Sequence, residues 1–280
     1  MIIGIVGVGY VGRALGYGFA QYGHDLLLND IRNLRAVWAE EFIASKERLM
    51  AECDVIFICV DTPAREDGNC DLRKVYDAFN ELHKAWAMNP EPEKKQPIIV
   101  IKSTVIPGTA DTLQAAYPWV ASNPEFLRQA HANDDFLNPD RIVIGASKPE
   151  VAKFMEELYK DFDCPIINCS HKEAELIKYL SNSFFITKVA FAQEISRIST
   201  MLVIDAMKVY EGITADKRID HHHLDPSLGR ISLFTPCLAK DMMALIKQLD
   251  ESGYETHFMK TAYAKAVDGV RLDFKLEVEK

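Results

Sequence analysis

Apolar runs alternate with amphipathic stretches along the first 165 residues of the chain. Two runs, at residues 56–60 and 98–101, are continuously apolar, which is typical of strands covered on both faces of a parallel sheet. Strands alternating with helices favour a doubly wound α/β sheet of the Rossmann type in this N-terminal part of the chain. The strands are predicted at residues 2–6, 25–29, 54–60, 97–102, 118–122 and 141–145, and the helices at 13–22, 33–50, 72–87, 109–116 and 149–161.

The pattern changes near residue 168 and becomes mainly helical. Apolar residues recur at helical spacing from 172 to 207, without proline or glycine, which predicts one long helix or two joined ones. A helix this apolar usually packs against a partner, so a homodimer is expected. We therefore predict a first domain at 1–167 and a helical dimerisation domain at 168–280. Further helices are predicted at 204–211, 236–250 and 255–267.

Composition narrows the class of protein. The 280 residues are 48% apolar and 26% charged, as in ordinary globular enzymes, and the net charge of −9 argues against a nucleic-acid partner. No apolar run approaches the ~18 residues of a membrane span, and no basic segment begins a signal peptide, so a cytoplasmic protein without membrane association is expected. The six cysteines form no C-x-x-C pair, and Cys59 falls in an apolar strand as a buried thiol.

A glycine-rich turn follows the first predicted strand. The segment Gly7-Val8-Gly9-Tyr10-Val11-Gly12 stands between that strand and a helix, as in dinucleotide-binding folds. Gly7 permits the tight turn, Gly9 permits a pyrophosphate to approach the backbone, and Gly12 permits close packing of the helix. A purely structural turn is the alternative interpretation.

An acidic residue ends the second predicted strand. Asp30 is placed to accept hydrogen bonds from the adenosine ribose, and its charge would repel a 2′-phosphate. The cofactor is therefore predicted to be NAD. Arg32 and Arg35 lie nearby in the sequence and weaken this preference for NAD over NADP.

Further segments occur in an order that identifies a family. Together with the glycine turn they resemble the UDP-glucose/GDP-mannose dehydrogenases over residues 1 to about 265. The segments are Val60-Asp61-Thr62-Pro63, Lys102-Ser103-Thr104-Val105, Asn123-Pro124-Glu125-Phe126-Leu127-Arg128, Lys178-x-x-x-Asn182, Asp216-Lys217-Arg218-Ile219 and Pro236-Cys237-Leu238-Ala239-Lys240-Asp241.

The resemblance implies an oxidation in two steps. Members oxidise the C6 alcohol of a nucleotide-sugar such as UDP-glucose to a carboxylate, in polysaccharide biosynthesis, with two NAD molecules. A cysteine forms a thiohemiacetal and then a thioester, which water cleaves. Cys237 matches this nucleophile, although a free cysteine is more commonly a small buried apolar residue.

The resemblance also assigns roles to other residues. Lys178 and Asn182 project from one helix face and would hold an oxygen that becomes negative. Asp241 would position water or assist proton transfer, Thr104 would orient water, and Glu125 would promote thioester hydrolysis. For each, an ordinary structural or surface role is the alternative.

Cofactor and substrate contacts follow from the same resemblance. The predicted NAD-binding residues are Gly7, Gly9, Tyr10, Val11, Gly12, Asp30, Thr62, Pro63 and Thr104. The predicted substrate residues are Glu125, Phe126, Leu127, Lys178, Asn182 and Arg218, of which Arg218 would reach the substrate across the subunit interface or remain a solvated loop charge.

The chain departs from the family at three places. Gln129 replaces a second active-site glutamate and cannot act as a base. Phe234 and Thr235 stand where the family has two glycines, so a reshaped sugar pocket is expected. The family's third, nucleotide-binding domain has no counterpart in these residues, and a separate partner could supply it. Asp61 and Ala239 replace prolines.

Two other functions remain open. A single-step enzyme like the β-hydroxyacid dehydrogenases would share the length, the glycine turn and the Lys-x-x-x-Asn, but would not need Cys237. A non-catalytic NAD-binding subunit would account for Gln129, Phe234 and Thr235. No metal is expected, because three consecutive histidines, at 221–223, would face different directions on a helix and are better read as a solvated loop.

Overall fold

A seven-stranded sheet forms the centre of the first of two compact units. The computed structural model describes residues 1–32, 38–88, 96–228 and 237–267. The sheet has the order β2-β1-β3-β4-β5-β6-β7. Neighbouring strands are parallel except β5 and β6, which pair antiparallel through Ser122 and Gly145. The strands are β1 Ile2–Val6, β2 Asp25–Asn29, β3 Val55–Ile58, β4 Ile98–Ile101, β5 Val120–Ser122, β6 Ile142–Gly145 and β7 Ile166–Cys169.

The predicted fold class is confirmed. Strands β3, β4 and β6 are buried along their whole length, because helices pack on both faces of the sheet. The strand order reverses at β1, whose neighbours are β2 on one side and β3 on the other. In doubly wound sheets the crevice at such a point, outside the carboxyl ends of the strands, is where ligands bind.

Ten α-helices are present among the described residues. Phe19 of α1 is buried in the core between this helix and the sheet. Its ring centroid lies 5.5 Å from that of Phe57 and 5.1 Å from that of Phe136. The helices are α1 Tyr10–Gln21, α2 Lys46–Glu52, α3 Arg73–Ala87, α4 Thr109–Gln114, α5 Ala132–Leu137, α6 Pro149–Leu158, α7 His171–Leu202, α8 Ala206–Thr214, α9 Leu238–Glu251 and α10 His257–Ala266.

The helix predicted at 33–50 is confirmed over residues 46–50 and is wrong over residues 38–45. Residues 33–37, with Arg35, lie outside the described residues. Beyond them, Glu40–Phe42 form only one 3₁₀ turn, and Ala44 N donates to Leu28 O at the sheet edge. Helix α2 begins only after Ser45, whose hydroxyl accepts from Arg48 N at 3.3 Å. Pairing with β2 therefore replaces the expected helix at residues 43 and 44.

The long apolar segment forms two helices, one of the two forms predicted. Helix α7 ends at Leu202, Val203 adopts a positive φ of 55°, and Asp205 caps α8 by accepting from Met207 N at 2.9 Å. No helix of the described residues has the length and hydropathy needed to cross a membrane.

Residues Pro63–Cys70 and those from Tyr179 onward constitute the second unit. Residues of α7, α9 and α10 form the core of this unit. The domain boundary expected at 167/168 stays a prediction. The buried core residues are Ile186, Val189 and Ala190 of α7, Ala239, Met242 and Ile246 of α9, and Ala262, Tyr263 and Ala266 of α10.

A buried carboxylate joins the start of α7 to the start of α4 within the first unit. Glu175 is 3% exposed and accepts from Gly108 N at 2.6 Å and from Ala110 N at 2.8 Å. Burial raises the pKa of Glu175 to about 7, against the opposing effect of these two hydrogen bonds. The carboxylate thus caps α4, which follows the segment that carries Thr104.

Candidate active site

The glycine turn has the geometry that a phosphate-binding turn requires. Gly7 has a φ of +90°, and a Cβ there would lie 2.9 Å from the backbone of Cys59. A Cβ at Gly12 would lie 2.2 Å from Gly7 O, so α1 packs against the turn only because this side chain is absent. At Gly9 a Cβ would meet open space, so the turn is open on that side.

The N-terminus of α1 is suited to an anion. Gly9 is its N-cap, no side chain caps it, and the first turn contains no acidic residue. Backbone N–H groups and the helix dipole at such an end favour a phosphate. Val11, the second residue of α1, belongs to this first helical turn, where the pyrophosphate of the cofactor is predicted to bind.

A cleft of about 560 Å³ opens beside this turn. Arg13 and Arg32 supply positive charge to its wall. Gln129, predicted as the replacement of a catalytic glutamate, also lies in this wall. The complete lining is Gly9, Tyr10, Arg13, Arg32, Gln129, Ala130, His131, Ala132, Asn133 and Asp134. The open turn, the helix N-terminus and the adjacent acid fit a dinucleotide.

Asp30 lies at the end of β2, as predicted, with its side chain 5% exposed. Its Oδ2 accepts from Val8 N at 2.7 Å, so the carboxylate holds the glycine turn against β2. Arg32 forms two side-chain hydrogen bonds with the same carboxylate. These bonds from Arg32 are the main reason that the pKa of Asp30 falls to about 2.

The segments after β3 and β4 are joined by side chains. Thr62 is buried, and its hydroxyl donates to Thr104 O at 2.8 Å. Ser103 donates to Val60 O at 2.7 Å. The structure thus brings together two of the predicted cofactor residues, Thr62 and Thr104. Pro63 begins the Pro63–Cys70 segment of the second unit.

A buried ion pair joins two of the predicted catalytic residues. Lys178 Nζ lies 2.9 Å from Glu125 Oε1, and their side chains are 8% and 9% exposed. Glu125 Oε2 also accepts from Leu127 N at 2.6 Å, which fixes the carboxylate. The ring of Phe126 lies beneath Lys178 Nζ at 5.5 Å. Four predicted substrate residues, all within the first unit, are therefore in one cluster.

Lys102 is a charged residue of this region for which no role was predicted. It is buried, and its ammonium donates to Asn123 Oδ1 at 2.9 Å. Burial lowers the pKa of Lys102 to about 8. Tyr159 donates to the same amide oxygen at 2.7 Å, so the start of the Asn-Pro-Glu segment is held firmly. A lysine directly after a continuously apolar strand is the sequence signal that marks it.

Cys59 is the buried thiol that its position in a strand predicts. Its pKa rises to about 12, mainly because of burial and despite the opposing charge of Lys102. A thiol with this pKa remains protonated at neutral pH and is not a nucleophile.

A second group of predicted catalytic residues lies within the second unit. Asn182 Nδ2 donates to Asp241 Oδ2 at 2.6 Å, and both residues are buried. Lys240 forms an ion pair with the other carboxylate oxygen, Asp241 Oδ1. Burial lowers the pKa of Lys240, but the charge and the hydrogen bond of Asp241, with smaller contributions from Cys70 and Cys237, together outweigh burial, so the net shift is upward. A buried carboxylate is thus held by an amide and an ammonium.

Cys237 is exposed and stands immediately before α9. Asp241 follows one turn later, and its N–H donates to Cys237 O at 3.3 Å. The first turn of a helix favours negative charge, which suits a thiolate at this end. Pro236 and the substitutions Phe234 and Thr235 lie outside the described residues, and so does the pocket they were expected to reshape.

Arg218 is on the surface in the turn after α8. Its side chain is 88% exposed and pairs with Asp216, Nη2 to Oδ2, at 2.5 Å. Its predicted role toward a partner subunit's substrate stays a prediction.

The three histidines lie in a loop, as expected. His221 and His222 are exposed, whereas His223 is half-buried and its ring stacks on Phe185 with centroids 4.6 Å apart. In this turn, unlike on a helix, donor atoms of Asp220, His221 and His222 lie within 4.8 Å of one another. Asp220 also binds Lys188 Nζ at 2.9 Å, so its second oxygen is already engaged.

Comparison with known proteins gives consistent matches along the chain. Residues 33–163 match the NAD binding domain of the UDP-glucose/GDP-mannose dehydrogenase family, and residues 172–265 match its central domain. The UDP-glucose 6-dehydrogenase YwqF of Bacillus subtilis is 33% identical over 93% of this chain and 64% of its own length. A UDP-glucose 6-dehydrogenase of Rhizobium meliloti is 32% identical over 94% of this chain and 67% of its own.

A solved structure agrees with these matches. The UDP-glucose dehydrogenase of Pyrobaculum islandicum superposes with a TM-score of 0.85, at 33% identity, over 95% of this chain and 67% of that one. The chain spans about two thirds of the length of these relatives.

Proposed function

The chain belongs to the UDP-glucose/GDP-mannose dehydrogenase family, and on that premise we propose that it oxidises the C6 alcohol of a nucleotide-sugar like UDP-glucose to a carboxylate. Its NAD binding domain confirms the predicted cofactor. The observation that carries the proposal is an exposed thiol, Cys237, at the start of α9, one turn before the buried Asp241–Asn182 pair.

Each step of the proposed reaction uses residues of this chain. NAD, when bound, accepts a hydride in each of the two oxidations. The first oxidation leaves an aldehyde, to which the Cys237 thiolate adds to give a thiohemiacetal. The second converts it to a thioester, and water then releases the carboxylate and regenerates the thiolate.

The polar residues stabilise charge and activate water. Lys178 and Asn182 lie one helical turn apart on α7 and stabilise the oxygen as it becomes negative. Asp241, fixed by Asn182 and Lys240, receives or returns a proton. Glu125 and Thr104 orient the water that cleaves the thioester. The Lys178–Glu125 pair supports these roles because it holds both side chains in one geometry.

The number of NADH molecules formed per sugar tests this function. We expect two NADH per molecule of UDP-glucose, or of another sugar in a panel of UDP- and GDP-sugars. One NADH per sugar would indicate the single-step oxidation of a β-hydroxyacid-type enzyme. Tight NAD binding without NADH formation from any sugar would indicate a non-catalytic subunit or a required nucleotide-binding partner.

We further propose that α7 mediates a homodimer. Its exposed face is apolar, with Phe184 62% and Phe191 54% exposed, and such a face is usually covered in an assembly. The exposed large apolar residues of this helix are Leu180, Phe184, Phe191, Ile198, Met201 and Leu202.

Replacing Phe184 with glutamate is expected to give a monomer. A carboxylate in an apolar interface is costly to desolvate, so the association constant should fall by about a hundredfold or more. Sedimentation analysis of the purified protein measures this. Tyr254→Glu, at a residue 63% exposed after α9, is the matched control and should leave the oligomer intact. A Phe184→Glu variant that sediments as a dimer would contradict the proposal.

A further inference from the structure

The predicted acceptor of the adenosine ribose is already occupied by a side chain of the same loop. Arg32 Nε donates to Asp30 Oδ1 at 2.9 Å, and Arg32 Nη2 donates to Oδ2 at 2.8 Å. The backbone N–H of Arg32 donates to Oδ1 at 2.9 Å, and that of Val8 donates to Oδ2 at 2.7 Å. Each carboxylate oxygen of Asp30 thus accepts two hydrogen bonds.

This arrangement changes what Asp30 offers to a ligand. A ribose with two hydroxyls needs a carboxylate oxygen with a free lone pair in reach, and it must compete here with a bidentate guanidinium. A ribose that carries a 2′-phosphate would ordinarily be repelled by the same carboxylate. Arg32 compensates that charge, so the usual ground for rejecting the phosphate is removed.

Arg32 is also positioned to receive such a phosphate. Its side chain is 57% exposed, and it lines the cleft of about 560 Å³ beside Gly9 and Tyr10. Its Nη2 donates to Val8 O at 3.0 Å as well, which fixes the guanidinium over the turn. Nε and Nη2 donate to Asp30 and Val8, so Nη1 is the nitrogen of this fixed guanidinium that can donate to an oxygen of a 2′-phosphate.

The remaining charges near this end of the cleft do not reverse the balance. Asp61 also acts on Arg32 through its charge, but Asp61 is paired with Lys74 at 2.8 Å. Arg13 adds a second guanidinium to the cleft wall, which His131 and Asp134 also line.

We propose that Arg32 is a specificity-determining residue, which allows this cleft to bind NADP(H) as well as NAD(H). The site would then recognise a dinucleotide with either a 2′-hydroxyl or a 2′-phosphate on its adenosine ribose. This inference rests on the dinucleotide-binding part of the proposed function and not on the sugar oxidation.

The test is a fluorescence titration of the full chain with NADH and with NADPH, in the absence of sugar. We expect the dissociation constants for the two to lie within about tenfold of each other. Arg32→Ala should weaken NADPH binding by about tenfold or more, because a charge-assisted pair is lost, and leave NADH binding unchanged or tighter. Arg73→Ala is the matched control, since Arg73, at the exposed start of α3, pairs in the same way with the carboxylate two residues before it, Asp71, at 2.6 Å.

Two results would overturn the inference. The first is NADPH binding more than about tenfold weaker than NADH binding in the unaltered protein. The second is an equal loss of both affinities in Arg32→Ala, which would make Arg32 a general phosphate contact. Binding of both dinucleotides without oxidation of any sugar would count against sugar oxidation by this chain alone and leave the inference standing.

Discussion

Cys237→Ser is expected to abolish the formation of the acid. A serine hydroxyl stays protonated at neutral pH and adds to the aldehyde far less readily than a thiolate, so the route through the thioester closes. The rate of acid formation should fall by about a thousandfold or more, since the loss of a catalytic nucleophile can lower a turnover number by up to about a millionfold. NADH release and chromatography of the acid, followed together, measure the effect.

The design of this experiment separates chemistry from folding. Cys237 is exposed, so the substitution removes no core contact. Cys169→Ser, at a half-buried thiol of β7, is the control and should retain the rate of acid formation. If Cys237→Ser formed acid at the unaltered rate, Cys237 would have no part in the mechanism.

Lys178→Met is expected to lower both activity and stability. The substitution leaves the Glu125 carboxylate buried without its cation, and breaking such a buried pair costs about 3–5 kcal/mol of the free energy of unfolding. The turnover number should fall by about a hundredfold or more, since the positive charge toward the developing oxyanion is lost. Denaturant titration and steady-state kinetics measure the two effects.

A double variant distinguishes the two effects of Lys178. Lys178→Met with Glu125→Gln leaves no unpaired charge, so much of the lost free energy of unfolding should return. Activity should not return, because both proposed functional groups are absent. Lys160→Met, which breaks the exposed Lys160–Glu157 pair, is the control and should change stability little. Recovery of activity in the double variant would give Lys178 a structural role only.

Local patterns predicted most of the sheet. Buried strands such as β3 and β4 are continuous apolar runs, and the fold requires them to be so. Strand β7 was missed because Ile167 and Asn168 are exposed at the edge of the sheet, which gives no such run. The helix expected at 33–50 was wrong over residues 38–45, because pairing of Ile43 with Leu28, which is remote in sequence, overrides local helical spacing there.

The site could be predicted as a set of residues but not as a set of contacts. Lys178 and Glu125 were each assigned a role, yet only the folded sheet brings the two charges together. Asp30 and Arg32 are close in sequence, but their bidentate geometry depends on the turn after β2. Lys102 went without a role because one lysine after a strand does not reveal its partner Asn123.

Folding is coupled to the uptake of a proton by Glu175, the residue whose side chain caps α4. With a pKa of about 7 in the folded chain against an ordinary 4.5, Glu175 keeps a proton after folding that it would release when unfolded. Its contribution to stability is therefore fully present below about pH 4.5 and is lost as the pH rises through about 7. Between these two pH values the folded chain accordingly binds more protons than the unfolded chain, and its free energy of unfolding falls as the pH rises across that interval.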